Sequence, residues 1–256
     1  MGYSTHALLR VLLVVVLIAG TQGQWTHNFS ITYSNDVHEV SFSPDGQYIV
    51  VASNDQNHCV IKISTQNNEF CFPSAPSPAF TAKFSPDQKY LAFGFQDGTV
   101  NIRNATSHPS YPQVVSLSVP FGQVQEVHFS ADSSKMIVCG DNGFRIYNVP
   151  GWTAVAATGT NINFGHPVVS CRFAPDGKYA IGTYQGQIHI YGGASPWSYF
   201  TDGSAYIYGV DFSPDSNYLL TGWASSSQRA MVFSVGSNSS GVVANSGESV
   251  YAVDWN

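Results

Sequence analysis

Short runs in which apolar and polar residues alternate, each closed by a tight-turn signature, recur along this chain. The pattern is plainest in VHEVSFSPDGQYIVV (37–51), FTAKFSPDQKYLAFG (80–94), VQEVHFSADSSKMIVCG (124–140), VVSCRFAPDGKYAIG (168–182) and YGVDFSPDSNYLLTG (208–222). A sixth copy opens as YAVDW at 251–255. Period-two alternation over five or six residues predicts a strand. The aromatic closing each first run is Phe42, Phe84, Phe129, Phe173, Phe212 and Trp255, at intervals of 42, 45, 44, 39 and 43 residues. Spacing this even predicts a repeat architecture.

Each unit parses in the same way. After the aromatic comes Ser-Pro-Asp-Gly or a variant: Pro44 presets φ, Asp45 bonds local backbone, and Gly46 accepts a positive φ. A second strand follows (Tyr48–Ala52, Tyr90–Phe93), then a polar turn such as Gln96-Asp97-Gly98 or Asp141-Asn142-Gly143. Third strands fall at Val60–Ser64, Val100–Arg103, Phe144–Tyr147, Ile188–Tyr191 and Ala230–Phe233, and a looser stretch supplies a fourth. About 43 residues and four strands per unit predict an all-β fold of propeller blades, with no helix beyond the N-terminal segment.

These units resemble the WD-repeat β-propeller family from about Trp25 to Asn256, most closely in FTAKFSPDQKYLAFGFQDGTVNIRN (80–104). The family's Trp-Asp pair after the third strand is replaced by Ile63-Ser64, Arg103-Asn104, Tyr147-Asn148, Tyr191-Gly192 and Phe233-Ser234, and its Gly-His survives at Gly165-His166 alone. The family's Asp-His-Ser-Trp hydrogen-bond network therefore does not carry over. The resemblance implies five complete four-stranded blades and a partial sixth, with Trp25–Tyr33 placed to act as an outer strand of the last blade. A ring of about seven blades needs roughly 300 residues, so an incomplete ring is expected, finished by further chain or by a partner.

Residues 1–23 read as a cleaved secretory signal: Arg10 precedes an apolar run from Val11 to Ala19, too short to span a bilayer, and small Thr21 and Gly23 precede Gln24. Residues 24–256 are then one propeller domain, secreted or in the secretory lumen and off the membrane once cleaved. Sequons at Asn28, Asn104 and Asn238 suit that compartment as glycosylation sites. Of four cysteines, Cys59 and Cys71 flank the turn between the third and fourth strands of the first unit and are expected to pair. Cys139 and Cys171, in neighbouring units, are expected to be free. No C-x-x-C motif supports a zinc or thioredoxin-type site, so no metal and no cofactor are expected.

Charged residues make up only 10% of the chain and the net charge is −6, leaving no basic field for phosphates; nucleic acid is not an expected partner. No nucleophile elbow, zincin helix or P-loop occurs. Asp45, Asp87, Asp132, Asp176 and Asp215 are explained by their turns, and His38, His58, His128 and His189 fall singly on or beside strands. Ser41, Lys83, His128, Arg172, Asp211 and Asp254 precede the anchoring aromatics and predict ion pairs and hydrogen bonds between blades. Glu39 and Glu126 share an inner-strand position and are the carboxylates a metal-dependent propeller hydrolase or lactonase would use. The loop aromatics Trp197, Tyr199, Phe200 and Tyr206 are the residues for gripping a protein partner, or a sugar if the chain is a lectin. The favoured reading is a non-catalytic interaction scaffold that binds protein partners through inter-blade loops.

Overall fold

The computed structural model describes residues 12–17, 26–33, 35–55, 58–72, 75, 77–156, 161–193, 197–200, 206–224, 230–236, 240–244, 250 and 253–255; of strand residues 12–17, 26–32, 161–163, 197, 200 and 240–244 it describes the backbone alone. Every regular element among them is a strand. Leu12–Leu17 (β1) and Thr26–Thr32 (β2) form an antiparallel pair. Five four-stranded antiparallel sheets follow in chain order. The first orders Val37–Phe42 (β3), Tyr48–Ser53 (β4), Cys59–Lys62 (β5) and Asn67–Cys71 (β6). The second holds Ala79–Phe84 (β7), Tyr90–Phe95 (β8), Thr99–Asn104 (β9) and Gln113–Ser118 (β10). The third holds Val124–Phe129 (β11), Lys135–Gly140 (β12), Gly143–Asn148 (β13) and Asn161–Asn163 (β14). The fourth holds Val168–Phe173 (β15), Tyr179–Thr183 (β16), Gln187–Tyr191 (β17) and Trp197–Phe200 (β18), and the fifth Tyr206–Phe212 (β19), Tyr218–Ala224 (β20), Ala230–Ser234 (β21) and Ser240–Ala244 (β22).

The first strands of successive sheets, β3, β7, β11, β15 and β19, lie side by side in chain order, the arrangement of propeller blades. β2 pairs with β1, and the last blade that Trp25–Tyr33 is expected to close lies outside the described residues. The apolar, β-branched run of β1 is the nearer partner in sequence, and local antiparallel pairing carries the smaller loop-closure cost. Of the sixth copy, Val253–Trp255 are described, without strand pairing; the Trp255 N–H donates to Asp211 Oδ2 at 2.9 Å.

The turn after each anchoring aromatic shows why the repeat keeps its Ser and Asp. Ser43, Ser85, Ser130 and Ser213 donate to Asp45, Asp87, Asp132 and Asp215 at 2.6–2.7 Å. Each Asp Oδ1 in turn accepts the N–H two residues on, as does Asp176 from Lys178. These bonds favour the ionised form; donation from Ser130 and Ser134 pulls the Asp132 carboxyl down to about 2. Gly46 sits at φ 67°, and Gln88, Ser133, Gly177 and Ser216 take the same left-handed conformation in their copies. The two serines gain a second role there: Ser133 and Ser216 hydroxyls accept the Asp87 and Asp176 N–H groups of the preceding sheet's turn.

Second strands form the core, with every residue of β4 and β16 buried. Opposite Glu39, Thr81, Glu126, Ser170 and Gly209 of the first strands stand small residues: Ala52, Gly94, Cys139, Gly182 and Gly222. A Cβ on Gly94 would lie 2.4 Å from Val124, and one on Gly182 2.7 Å from Ile207, so the next sheet packs directly on this position. Phe84, Phe129, Phe173 and Phe212 are buried, whereas Phe42 is 50% exposed, because no described element covers that flank of β3.

Cys59 and Cys71 face each other in the β5–β6 register and are joined, with Cα atoms 4.1 Å apart; Cys139 and Cys171 are free and buried. Removing the bridge as a Cys59→Ala/Cys71→Ala double variant should lower unfolding free energy by roughly 3 kcal/mol, from the short loop it closes. Urea denaturation of wild type and variant measures this, and an unchanged midpoint would contradict it.

Candidate functional site

All five first strands carry the same irregularity. The register slips between residues one and three of β3, β7, β11 and β15, and between two and four of β19, leaving His38, Phe80, Gln125, Val169 and Tyr208 as bulge residues. A bulge re-aims its side chain. All five line one cavity of about 510 Å³, with Glu39, Lys83, Glu126, Arg172 and Asp254 at deeper levels.

In β3, β7, β11 and β15 the third residue ties its sheet to the next, while β19 has Gly209 at the equivalent place. Glu39 Oε2 accepts the Ala82 N–H at 2.9 Å and the Thr81 hydroxyl at 2.7 Å. Thr81 Oγ1 then accepts the Val127 N–H at 3.2 Å. Glu126 Oε2 accepts the Cys171 N–H at 2.8 Å and the Ser170 hydroxyl at 2.9 Å, and Ser170 Oγ accepts the Val210 N–H at 3.1 Å. Long Glu and short Thr or Ser alternate along this relay. The other carboxylate oxygens face the fifth-residue cations: Glu39 Oε1 is 2.5 Å from Lys83 Nζ, and Glu126 Oε1 is 2.8 Å from Arg172. The two hydrolase candidates thus have both oxygens engaged in joining sheets.

The fifth-residue level works similarly. His128 Nδ1 accepts the Phe173 N–H at 3.2 Å, Asp211 accepts from Trp255, and Ser41 donates to the Ala82 carbonyl at 2.8 Å. Desolvation in its half-buried place, reinforced by Arg172 and Lys83, holds His128 well below the ordinary histidine range and therefore neutral. Burial opposes the Arg172 charge, but Glu126, Glu39 and Asp211 outweigh it and raise its pKa. Asp211 Oδ1 lies 4.0 Å from Arg172 Nε. Burial, together with the adjacent Asp254, pushes Asp211 up to about 6 against the pull of Trp255 and Arg172. The expected inter-blade pairing of this series is what these bonds provide.

Other sequence candidates fall elsewhere. His58 is fully buried against Phe72, Phe93 and Phe95, and burial lowers its pKa. Burial and His166 bring His189 down to about 4, and its ring meets Ser198 Oγ at 2.8 Å. Tyr199 turns inward onto Trp223 and Phe233. The side chains of Trp197, Phe200 and Asn28, and the whole of Asn238, lie outside the described residues. Asn104 is partly exposed, its amide oxygen accepting from the Thr106 N–H and hydroxyl. Tyr206, the other loop aromatic whose side chain is described, reaches solvent, 38% exposed and stacked on Tyr184 (39%) with ring centroids 4.1 Å apart. Tyr208 meets both rings near edge-on, which places the pair beside the cavity mouth; His38 and Phe80 stack at 4.2 Å on the same rim. Tyr184 carried no sequence signal beyond its place in a polar turn.

Among the described residues, one group of three potential metal ligands gathers: Glu126, Cys139 and Cys171, with donor atoms within 4.8 Å of one another. Glu126 is already bonded through both oxygens, so the group offers an ion two thiols and a carboxylate that must first release Arg172 or the Cys171 amide.

Two outcomes follow from the relay. Glu126→Ala should cost roughly 3–5 kcal/mol, because it strands a half-compensated Arg172 in a buried setting; urea unfolding measures it, and a loss under 1 kcal/mol would contradict the relay. Asp211 binds its proton more tightly folded (about 6) than unfolded (about 3.9). Its contribution to stability is therefore full below about pH 4 and lost as pH rises through about 6. Asp211→Asn, which still accepts from Trp255, should flatten the slope of stability against pH over that window, and an unaltered slope would refute the assignment.

Comparison with known proteins agrees with the repeat geometry. The family model described as "WD domain, G-beta repeat" matches residues 24–61, 159–192 and 197–234. Its matches leave out 80–104, yet that segment builds the same kind of sheet as the matched ones. A 66 kDa stress protein of Physarum polycephalum is 27% identical over 164 residues, which is 62% of this chain and 27% of that protein. Polyadenylation factor subunit 2 of Candida albicans is 28% identical over 128 residues, 50% of this chain and 23% of the relative. The chain thus spans about a quarter of the length of these curated relatives. The matched stretches fall on sheets of one common design, so the chain carries WD-type repeats there and resembles the WD-repeat family, in a form without the Trp-Asp pair.

Proposed function

We propose that this chain is a non-catalytic protein-interaction scaffold that contacts its partner at the cavity mouth, with Tyr184 and Tyr206 as the aromatic anchors. The exposed stacked pair carries this reading. Two tyrosines more than a third exposed, on adjacent sheets and held edge-on by Tyr208, present rigid amphipathic area at low entropic cost. WD repeats support a binding role, and the polyadenylation relative is by its name a subunit of a factor. The polar groups deeper in the cavity are engaged in joining sheets, which favours a surface grip over chemistry on a substrate. In the same proposal the scaffold works in the secretory lumen or outside the cell: residues 1–23, β1 among them, are removed and β2 is released from that pairing, Gln24 becomes the N-terminus, and Asn28, Asn104 and Asn238 carry glycans. Further strands, from more chain or from a partner, complete the ring to about seven blades.

The full chain used as bait on extracellular and lumenal fractions, beside a Tyr184→Ala/Tyr206→Ala variant of equal stability, tests the site. Loss of a captured protein by at least tenfold in the variant is expected. Equal capture by both would place the contact elsewhere, and ester or lactone turnover abolished by Glu39→Gln or Glu126→Gln would replace the scaffold with an enzyme. N-terminal sequencing of secreted material, together with a mobility shift on glycosidase treatment lost in Asn104→Gln, tests the compartment.

A further inference from the structure

At three junctions the small residue of one second strand packs on apolar side chains of the segment that follows its sheet. Gly94 faces Val124, and Gly182 faces Ile207 and Val210. Gly222 lies against Val250 and Val253 in the same way. The junction of the third and fourth sheets departs from this. There the small position is Cys139 on β12 and the facing residue is Cys171 on β15, both fully buried, with their sulfurs within 4.8 Å of each other. Packing alone asks for nothing more reactive than the Gly, Ala and Val used elsewhere.

The neighbouring groups hold Cys171 in register with Cys139. Its N–H is fixed on Glu126 Oε2 at 2.8 Å and its thiol donates to the Glu126 carbonyl at 3.8 Å. Cys139 lies in one buried cluster with Ile137, Phe144, Val168 and Ile181, and its thiol is paired with the Cys171 thiol and the Glu126 backbone. Neither sulfur has a route to another cysteine, since Cys59 and Cys71 are joined to each other in the first sheet.

We propose that Cys139 and Cys171 are an oxidation site, a thiol pair that closes into a cystine stapling the third sheet to the fourth. The reaction is a two-step exchange with a small disulfide such as oxidised glutathione. One protein thiolate attacks the disulfide, releasing one small thiol and forming a mixed disulfide. The second thiolate then attacks that protein sulfur and releases the other small thiol. Two protein thiols lose two electrons and two protons, and one disulfide becomes two thiols. Burial raises both thiol pKa values, so exchange is slow in the closed fold and proceeds while the two sheets are still coming together. The pair needs a disulfide donor but no particular compartment, so it stands apart from the secretory proposal.

The test refolds the reduced, denatured full chain in glutathione buffers of graded redox poise, blocks remaining thiols with N-ethylmaleimide in acid-quenched denaturant, and maps non-reduced peptides by mass. A linked Cys139–Cys171 peptide, lighter by two hydrogens, is expected in the oxidising buffers, and the linked chain should unfold at a higher urea concentration than the reduced one. A Cys59→Ala/Cys71→Ala chain should still form it, and a Cys139→Ser chain should leave Cys171 fully alkylated. Alkylation of both Cys139 and Cys171 in every buffer that closes Cys59–Cys71 would overturn the proposal. So would cross-pairing of either residue with Cys59 or Cys71.

Discussion

The fold rests on one repeated interaction: in four of the five first strands, the side chain that follows the bulge accepts a backbone N–H of the first strand in the next sheet. A sheet's own ladder satisfies its interior N–H groups, but first strands stand at sheet edges with half of theirs turned outward. Left unpaired and buried, each such group costs about 1–3 kcal/mol. Glu39, Thr81, Glu126 and Ser170 remove that cost in turn, for Ala82, Val127, Cys171 and Val210. Sheets that touch only through side chains are thereby held at fixed spacing, and the small residues behind the relay allow the approach it requires.

The relay also decides what the cavity can do. Because Glu39 and Glu126 are spent on amides, hydroxyls and the Lys83 and Arg172 charges, the acids nearest the cavity are structural in geometry. What remains available to a partner is the outermost level, where the bulge in each first strand turns one residue toward the mouth. That level differs from copy to copy: His38, Phe80, Gln125, Val169 and Tyr208. A rigid ladder below and a variable rim above is the division of labour that allows a repeat scaffold to change partners without changing fold.

Loss of the Trp-Asp pairs is tolerated for a related reason. The Ser–Asp turns and the hydroxyls of Ser133 and Ser216 link neighbouring turns directly, and the buried aromatic clusters around Phe93, Phe144 and Trp223 fill the interior of the sheets. The sheet at 80–104 shows the consequence: with Arg103-Asn104 in place of Trp-Asp, Arg103 packs its guanidinium 3.8 Å over Phe72 and donates to the Tyr111 carbonyl at 2.8 Å. An inter-sheet contact survives there with different chemistry.

Strand count, turn positions and the Cys59–Cys71 bridge were legible in the sequence because each depends on local chemistry: period-two burial, a turn's demand for Asp and a positive φ, and two cysteines across one hairpin. The pairing of the charged fifth residues was legible as well, since the repeat places equivalent positions side by side. The roles of Glu39 and Glu126 were not. An acid beside a cavity and an acid bonded to the next sheet's amide look the same in one dimension, and only the 43- and 45-residue reach to Ala82 and Cys171 separates them. Tyr199 and Tyr206 likewise read alike as loop aromatics; the first is drawn inward by Trp223 and the second left in water beside Tyr184. The sequence by itself determined the repeat and its strands, whose cause lies within a few residues of chain. Tertiary structure alone decided which polar groups are spent and which aromatics face solvent, because burial and partner choice are set by a neighbouring sheet some forty residues away.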